Sequence, residues 1–286
     1  VRGNVLTDGA SIEVFINDAF ENNTNCHMVS TPETLAQALT ANEELINVTL
    51  LDDIDLPISS LGAQTPGSGE YKLGGEATET ININLNGHKL NITTTYWSCL
   101  GAKNENVLFT IKNGTMTSSQ PTGTWNSYDL TFANCNYVFE DVVFDKAIAL
   151  SNVGEAVTRA EATIARKSVT MKNVTINETH DYYAMWIAAE GQTVNIEDLT
   201  INSDGRGIKI DEQYVDAPAK VTLNINGADF NTKKKAAIMV KSVAGADITL
   251  SNVDIADVAA DTVNAVWVDE DASAYFDKVN VVGGSM

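Results

Sequence analysis

Basic residues are scarce in this sequence. Of its 286 residues, 18 are Lys or Arg and 38 are Asp or Glu, which gives a formal net charge of −20. Binding to the phosphates of nucleic acid requires a basic surface, and so does electrostatic attraction to an anionic membrane. The composition therefore predicts that neither nucleic acid nor a membrane is a partner. A soluble protein outside the cell, or on the surface of a particle, fits this acidic, Asn- and Thr-rich composition.

Cysteines and long apolar runs are also few. Cys26, Cys99 and Cys135 are an odd number without a CxxC pair, which excludes a complete disulfide framework. Two arrangements fit this count: one disulfide with one thiol left over, or three buried thiols. We favour buried thiols because Cys99 and Cys135 lie in stretches of alternating apolar residues. No run of 18 apolar residues occurs, so we expect no transmembrane helix.

Motifs of catalysis and metal binding are missing as well. The sequence has no nucleophile elbow, P-loop or Rossmann glycine pattern. His27, His88 and His180 are too scattered to suggest a metal site. The acidic trio 269–271 offers oxygen ligands for calcium, but it lacks regular ligand spacing and is interpreted as a solvated turn. We therefore predict no cofactor and no metal.

What the sequence does contain is a repeat. Eight segments have apolar residues two and four positions before a bend residue and three positions after it, and successive bend residues are 25 to 32 residues apart. A spacing of two places side chains on one face of a strand, and the spacing of three indicates a turn into a second strand. Seven of the eight bend residues are Gly, Asn or Asp, which tolerate the left-handed backbone conformation of a tight bend. The bend residues are Gly87, Asn113, Asp141, Asn173, Asp198, Gly227, Asn252 and Lys278.

The later repeats contain a third strand. In each, one outward residue lies between two inward apolar residues, and the triplets are 185–187, 208–210, 238–240 and 266–268. Three strands in about 27 residues predict an all-β protein, a single-stranded right-handed parallel β-helix of about eight rungs from about residue 80 to the end. A β-sandwich would not keep one apolar register over eight repeats, and a propeller blade needs about 40 residues and four strands.

The remaining segments define the domain organisation. Residues 1–44 are predicted to form an N-terminal lead-in and a capping helix, and residues 45–286 the β-helix. The helix is predicted to begin after Thr31 at Pro32 and to end at Leu39, because Thr31 can cap it and proline suits its first turn. We expect this helix to cover the open end of the first rung, whose strand edges and core would otherwise be exposed.

Two interruptions and an unfinished end are also predicted. The glycine-rich segment 57–79 is predicted to be a long surface loop, and the Ala-rich segment 155–166 an insertion. The strand-like segment 48–53 would be a lead-in rung. No amphipathic segment follows Gly283, so we expect either a partner subunit or further chain to cover the last rung.

The outward side of the third strand is the candidate ligand site. Aromatic rings cover the apolar side of a pyranose and charged groups bind its hydroxyls, so this face is predicted to bind glycans. In the alternative, the rings pack on neighbouring loops and Asp211, Lys241 and Asp269 form a ladder of ion pairs along the rod. The candidate residues are Tyr182, Tyr183, Trp186, Arg206, Lys209, Asp211, Lys241, Trp267 and Asp269.

Glycoside hydrolysis on the same face is the main alternative function. It requires two carboxylates about 5 Å or about 6.5–9.5 Å apart. Asp211 and Asp269 lie two rungs apart, which is about 10 Å, and Lys241 lies between them. The sequence therefore identifies no catalytic residue.

The repeats resemble a known superfamily. The segments Ile83–Leu90 (INLNGHKL) and Phe109–Gly114 (FTIKNG) are similar to rungs of the pectate-lyase-like right-handed β-helices, and the resemblance covers roughly residues 45–286. It implies the fold and no particular activity. Within this superfamily the chain is most similar to uncharacterised surface or secreted repeat proteins of gut bacteria and to β-helical fibre proteins of their phages.

The resemblance does not extend to a catalytic site. Pectin-degrading hydrolases of this fold carry Asn-Thr-Asp, Asp-Asp, Gly-His-Gly and Arg-Ile-Lys motifs. Only the last resembles a segment here, Arg206-Gly207-Ile208-Lys209, which has an extra glycine, and the other three are missing. No hydrolase site is therefore carried over to this chain.

These features together predict a non-enzymatic module outside the cell, on a cell surface or on a virion. It would present a rigid face to glycans or to partner subunits, including copies of itself. The alternatives are a polysaccharide-degrading lyase or hydrolase with a groove on the third-strand face, and a purely structural fibre or shell component.

Overall fold

The computed structural model describes most of the chain between Cys26 and Ser285. The predicted lead-in within residues 1–25 and the predicted insertion 155–166 lie outside the described residues. The described residues are 26–63, 70–94, 99–104, 106–119, 130–133, 135–150, 167–179, 182–188, 191–211, 219–234, 236–242, 244–255, 266–268 and 278–285.

Almost all of the regular structure in these residues is β-strand. One α-helix, α1 (Pro32–Leu39), and a one-turn 3₁₀ helix (Ile58–Leu61) are also present. In chain order the strands are β1 (Cys26–Val29), β2 (Leu45–Leu50), β3 (Ile54–Pro57), β4 (Glu70–Leu73), β5 (Thr80–Asn84), β6 (Lys89–Thr93), β7 (Cys99–Ala102), β8 (Leu108–Ser118), β9 (Leu130–Phe132), β10 (Asn136–Phe144), β11 (Ile148–Leu150), β12 (Ser168–Glu178), β13 (Tyr183–Ala188), β14 (Thr193–Ser203), β15 (Arg206–Asp211), β16 (Val221–Thr232), β17 (Ile238–Val240), β18 (Ala246–Ile255), β19 (Val266–Val268) and β20 (Lys278–Ser285).

The strands form two parallel sheets. In the first sheet, ten strands stack in the order β1-β2-β5-β8-β10-β12-β14-β16-β18-β20, and β3 and β6 extend it beside β8. The second sheet has the order β4-β7-β9-β11-β13-β15-β17-β19. Because the chain alternates between the sheets and always returns to the next parallel position, it winds as a coil. The predicted all-β fold is thus confirmed as a parallel β-solenoid.

Each long strand of the first sheet bends at the predicted residue. Around Asp141 and Asn173, for example, Glu140 pairs with Lys172 and Val142 pairs with Val174, whereas the two bend residues themselves are skipped. Skipping one residue keeps apolar side chains inward on both sides of the bend. Seven predicted bend residues have a left-handed backbone, with φ from 51° to 61° for the Asn and Asp residues and 81° for the glycines; they are Gly87, Asn113, Asp141, Asn173, Asp198, Gly227 and Asn252.

The eighth predicted bend residue is wrong. Lys278 pairs with Asp247, well before the bend of β18, and Gly283 lies opposite Asn252. The last segment fits the apolar spacing of the repeat in two ways, one with the bend at Lys278 and one with the bend at Gly283. The pairing that forms is the second, which aligns Val279 and Val281 with Ile248 and Leu250 of β18. The bend position is therefore again occupied by a glycine.

The first predicted repeat is shifted by two residues before its bend. Ile83 rather than Leu85 pairs with Ile111. The turn around Asn86–Gly87 contains two more residues than the later bends. The residue two positions before Gly87 therefore lies within the turn, and the residue that pairs with the next coil is two positions earlier. Leu85 is nevertheless fully buried within this longer turn.

The described solenoid includes at least one coil before the predicted repeats. Strands β2, β3 and β4 make a complete coil, which includes the predicted lead-in rung 48–53. The prediction of a long loop over 57–79 is wrong for its described part, because Pro57 ends β3, a 3₁₀ helix follows, and Glu70–Leu73 pairs in the second sheet. The strands of this segment are short and lie near glycines, so the sequence shows little of the apolar periodicity that indicates a strand.

The predicted capping helix forms at the first coil. The Oγ1 atom of Thr31 accepts a hydrogen bond from the backbone N–H of Thr34 at 3.3 Å, and Pro32 occupies the first turn. Leu35 and Leu39 are buried and belong to the same core as the strands. Helix α1 therefore packs its apolar face on the solenoid core, as its sequence predicts.

A single hydrophobic core runs inside the coil from Val29 to Val253. Cys99 and Cys135 are buried thiols, as predicted, but Cys26 is exposed, so the expectation of three buried thiols is wrong for that residue. Cys26 begins the terminal strand β1, which pairs only with β2 among the described strands. No helix in the described residues is long and apolar enough to cross a membrane.

Candidate functional site

The outward residues of the second sheet align in a column, as predicted. Trp186 pairs with Lys209, Lys209 with Met239, and Met239 with Trp267. The residues on either side of this column, such as Met185 and Ile187, belong to the solenoid core. Alternation along short strands thus divides the inner core from an outer surface.

This outer surface is a second apolar cluster rather than an open face. We call it the outer cluster; its buried members are Ala147, Ala149, Tyr183, Trp186, Ala188 and Met239, and Tyr182 and Trp267 are its partly buried members. Trp186 is only 5% exposed, so the predicted exposure of this ring is wrong. Its packing agrees with the alternative in which rings of this face pack against neighbours. Only Tyr182 and Trp267 keep part of their ring surface exposed.

A buried ion pair lies in the same layer. The Nζ atom of Lys209 is 2.5 Å from Oδ2 of Asp211, and the two side chains are 8% and 7% exposed. They are two residues apart on β15, so both project from the same face of the strand. The indole Nε1 of Trp186 donates to the backbone carbonyl of Asp211 at 3.3 Å. The strong partner of Asp211 is therefore Lys209 on its own strand, not Lys241 of the next coil.

Tyr183 is held within the outer cluster as a hydrogen-bond donor. Its hydroxyl donates to Sδ of Met239. Burial is the main cause that raises the pKa of Tyr183 to about 12; the nearby Arg206 guanidinium lowers it, and Tyr182 and Asp211 add smaller increases. The Cζ atom of Arg206 is 5.6 Å from the centroid of the Tyr183 ring. At neutral pH the phenol therefore keeps its proton and donates it within the cluster.

Tyr182 is positioned from two sides. Its ring stands edge-on to Tyr183, with 5.7 Å between centroids and an interplanar angle of 89°. The Nζ atom of Lys209 lies 5.8 Å from the centroid of the Tyr182 ring, within the range of a cation–π contact. The backbone carbonyl of Tyr182 also accepts from the N–H of Arg206 in the next coil. The partly exposed Tyr182 ring is therefore held in place against the buried Lys209–Asp211 ion pair.

The extra glycine of the Arg206-Gly207-Ile208-Lys209 segment has a steric role. A Cβ atom at Gly207 would lie 2.1 Å from the backbone oxygen of Ala237 and 2.8 Å from the Phe230 ring. The backbone of β15 therefore passes too close to the next coil for any side chain at this position. Arg206 and Lys209 lie on either side of this close passage along β15.

The structure brings together seven of the nine predicted site residues. Tyr182, Tyr183, Trp186, Arg206, Lys209, Asp211 and Trp267 belong to or contact the outer cluster. Lys241 follows β17, donates its N–H to the carbonyl of Ile210, and is exposed beyond the cluster. Asp269 lies outside the described residues, as does the acidic trio 269–271 considered for calcium.

Sequence reasoning missed the small members of the outer cluster. Ala147 and Ala149 are fully buried there, one coil before Trp186. An alanine carries no aromatic or charged signal, but the alternation Ala147-Ile148-Ala149-Leu150 matches the later triplets. In the described part of the chain, no group of three or more His, Cys, Asp or Glu side chains is arranged to hold a metal ion.

Comparison with known proteins does not add a relative. No protein-family model, no curated protein and no solved structure matches the chain.

Proposed function

We propose that the protein is a non-enzymatic binding module that presents the outer cluster to glycans, on a cell or particle surface. The observation that supports this most is the pair of partly exposed rings, Tyr182 and Trp267, on a base of buried aromatic and charged side chains. Aromatic faces of this kind cover the apolar C–H side of a sugar ring.

The polar groups around the rings suit sugar hydroxyls. Arg206 is half-buried beside Tyr183, and Lys241 is exposed at the far end of the neighbouring strand. Both offer N–H donors at the edges of the aromatic surface. A ligand would therefore meet rings in the middle and donors at the rim.

The buried base supports binding through rigidity. The Lys209–Asp211 pair, the Trp186 indole and the Tyr183 hydroxyl all have partners inside the protein. Fixed side chains lose little conformational entropy when a ligand binds, so weak individual contacts contribute more of their energy to affinity. These residues act in positioning Tyr182 rather than in contacting the sugar.

The proposal is tested by a glycan array with three matched variants. Trp267→Ala should reduce binding about tenfold, because a stacked ring contributes on the order of 1 kcal/mol or more. Trp267→Phe keeps a ring and should retain most of the signal. Leu108→Ala removes an exposed apolar side chain on the first sheet, 42% exposed, and should not change binding.

Two outcomes would reject this function. If the wild-type protein binds no glycan, the structural role as a fibre or shell component becomes the better account. If the wild-type protein releases sugar fragments from a polysaccharide that it binds, the module is an enzyme. Equal losses in Trp267→Ala and Leu108→Ala would locate the glycan site elsewhere.

A further inference from the structure

Charge is distributed very unevenly along this solenoid. The first 79 residues contain 13 of the 38 acidic residues and only two of the 18 basic ones. Residues 206–241, in contrast, contain seven of the 18 basic residues. Because the chain winds steadily along the rod, the described residues of these two segments lie in different coils. The protein therefore carries an acidic region and a basic region that are separated in space.

The acidic region has a corner with exposed apolar side chains. Asp52, Asp53 and Asp55 are exposed where β2 turns into β3. Leu51, at the same turn, is 45% exposed, and its N–H donates to the carbonyl of Val29 in β1.

Met28, the residue before Val29, is 40% exposed. Met28 and Leu51 are two of the three large apolar side chains exposed in the described residues. We call Met28, Leu51, Asp52, Asp53 and Asp55 the acidic corner.

Two basic residues of the described chain lie at the acidic corner. The N–H of Lys89 in the next coil donates to Oδ1 of Asp53 at 2.8 Å, and Nδ1 of His88 lies 3.5 Å from the same atom. Because the bond from Lys89 uses its backbone amide, no Lys or Arg side chain of the described residues forms an ion pair with these three carboxylates.

The basic region has a matching corner beside Tyr182. Lys233 and Lys234 follow β16, and their backbone N–H groups donate to Ser203 and Gly205 of the previous coil, both at 3.0 Å. Arg206 begins β15 directly after this turn. We call Arg206, Lys233 and Lys234 the basic corner.

The charge of Lys233 in the basic corner can accept a new partner. The Nζ atom of Lys233 lies 2.6 Å from Oδ1 of Asp204, but the two side chains are 74% and 47% exposed. An ion pair in water at the surface contributes little stability, so Lys233 can exchange Asp204 for another carboxylate at small cost. The half-buried Arg206 and the partly exposed Tyr182 ring add an apolar surface next to these charges.

We propose that a second copy of this chain is the partner of the basic corner, and that it binds through its acidic corner. Carboxylates would meet the Lys and Arg side chains, and Met28 and Leu51 would cover the Tyr182 side of the contact. A second copy fits as the partner because both complementary surfaces, in charge and in apolar content, lie on the same chain. It does not depend on glycan binding.

The contact joins two different surfaces and is therefore heterologous. Each added copy leaves one acidic corner and one basic corner unused, so assembly continues as an open chain unless a rotation closes it. A small contact of this kind is weak, and the like net charges of the copies oppose it. We expect the average mass to rise steadily with protein concentration instead of stopping at a dimer.

The test is a charge exchange followed by sedimentation equilibrium at near-physiological salt. Lys233→Glu with Lys234→Glu should weaken self-association at least about tenfold, and so should Asp52→Lys with Asp53→Lys. Copies of either variant alone should repel each other, because the altered corner carries the same sign of charge as the corner that it would contact. Mixed together, the Lys233→Glu/Lys234→Glu and Asp52→Lys/Asp53→Lys proteins should associate with each other through the two reversed corners. The milder pair Asp52→Asn with Asp53→Asn keeps the side-chain acceptors and should weaken association without disturbing the fold.

Several outcomes would overturn the proposal. A wild-type protein that stays monomeric at all concentrations would do so, as would self-association that none of these substitutions changes. Failure of the mixed variants to associate, with both folded by circular dichroism, would show that the two corners do not meet. If Lys233→Glu with Lys234→Glu abolishes binding of an anionic glycan while wild-type protein stays monomeric, the basic corner binds that ligand instead.

Discussion

At the scale of single residues, the most unusual feature is a salt bridge in a buried layer. Removing two charges from water costs several kcal/mol each, and the mutual attraction of Lys209 and Asp211 offsets this cost only while both are present. The pair lies beneath Tyr182 and beside Trp186, where apolar side chains would otherwise pack. We expect its main effect to be on the geometry of the Tyr182 side of this surface.

A buried ion pair of this kind should respond differently to single and double substitutions in its free energy of unfolding. Lys209→Ala should lower the free energy of unfolding by about 3–5 kcal/mol, because it leaves Asp211 buried without its partner. Lys209→Met with Asp211→Leu fills the same space with apolar groups and should be within about 1 kcal/mol of the wild type, or more stable. Urea denaturation followed by circular dichroism measures both. Equal losses in the two proteins would show that the pair is not isolated from water.

At the scale of elements, each long strand depends on one residue with left-handed backbone. Asn173 has φ = 51°, and its Nδ2 donates to Oδ1 of Asp141 at 2.6 Å in the preceding coil. Asn113 and Asn252 make similar bonds to the coil before them. The bend residue thus supplies both the allowed conformation and a side-chain contact between rungs.

Asn173 therefore offers a test that separates these two contributions. Asn173→Gly and Asn173→Val both lose the hydrogen bond to Asp141, but only valine strains the left-handed backbone. Asn173→Val should be less stable than Asn173→Gly by about 1 kcal/mol, since the strain of about 1–2 kcal/mol is partly offset by the entropy that glycine loses on folding. Equal unfolding midpoints for the two proteins would argue that the bend relaxes without strain.

The elements also show what a sequence can and cannot predict in this fold. Apolar spacing around a Gly, Asn or Asp located seven bends correctly, because the inward alternation and the left-handed residue are both local signals. The first coil was partly missed because neither aspartate of its turn has the full apolar spacing: Asp55 lies three residues after Asp52, and Thr49 lies four residues before Asp53. Lys278 was misassigned because two registers of the last segment satisfy the same apolar spacing, and only pairing with β18 distinguishes them.

The candidate site was predicted less completely than the fold. Alternation showed that Trp186, Lys209 and Trp267 share one column, and the structure places them so. It did not show that Trp186 and Lys209 are buried, because alternation identifies the face of a strand and not what covers that face. The Lys209–Asp211 pair was missed for the same reason, since burial is what turns two outward charges into a strong pair.

At the scale of the whole molecule, the solenoid is a stack in which each coil contacts mainly its neighbours. Stability in such a stack is roughly a sum of coil and interface contributions. Here one apolar core passes through all the described coils from Val29 to Val253. A defect in the middle therefore interrupts the contacts of the coils on both sides.

Ile196 provides the test of this continuity. It is 4% exposed in β14 and aligns with Met171 and Ile225 in the adjacent coils. Ile196→Asp would bury an unpaired charge and should cost at least about 4 kcal/mol, which lowers the urea concentration at which the chain unfolds. Thr200→Asp lies four residues later on the outward face, is not buried, and should change stability by about 0.5 kcal/mol or less.

The shape of the urea unfolding curve shows whether the coils of the rod unfold together or separately. If the coils are strongly coupled, the circular dichroism signal of Ile196→Asp should fall in one transition at a lower urea concentration, as in a two-state protein. Two separated transitions would instead mean that the coils before and after β14 fold independently. Similar losses for Ile196→Asp and Thr200→Asp would contradict the inward register of the strand itself. The two substitutions introduce the same charge in the same coil, and the Asp229 carboxylate opposite Thr200 adds only a small repulsion, so a much larger loss for Ile196→Asp reports its inward face.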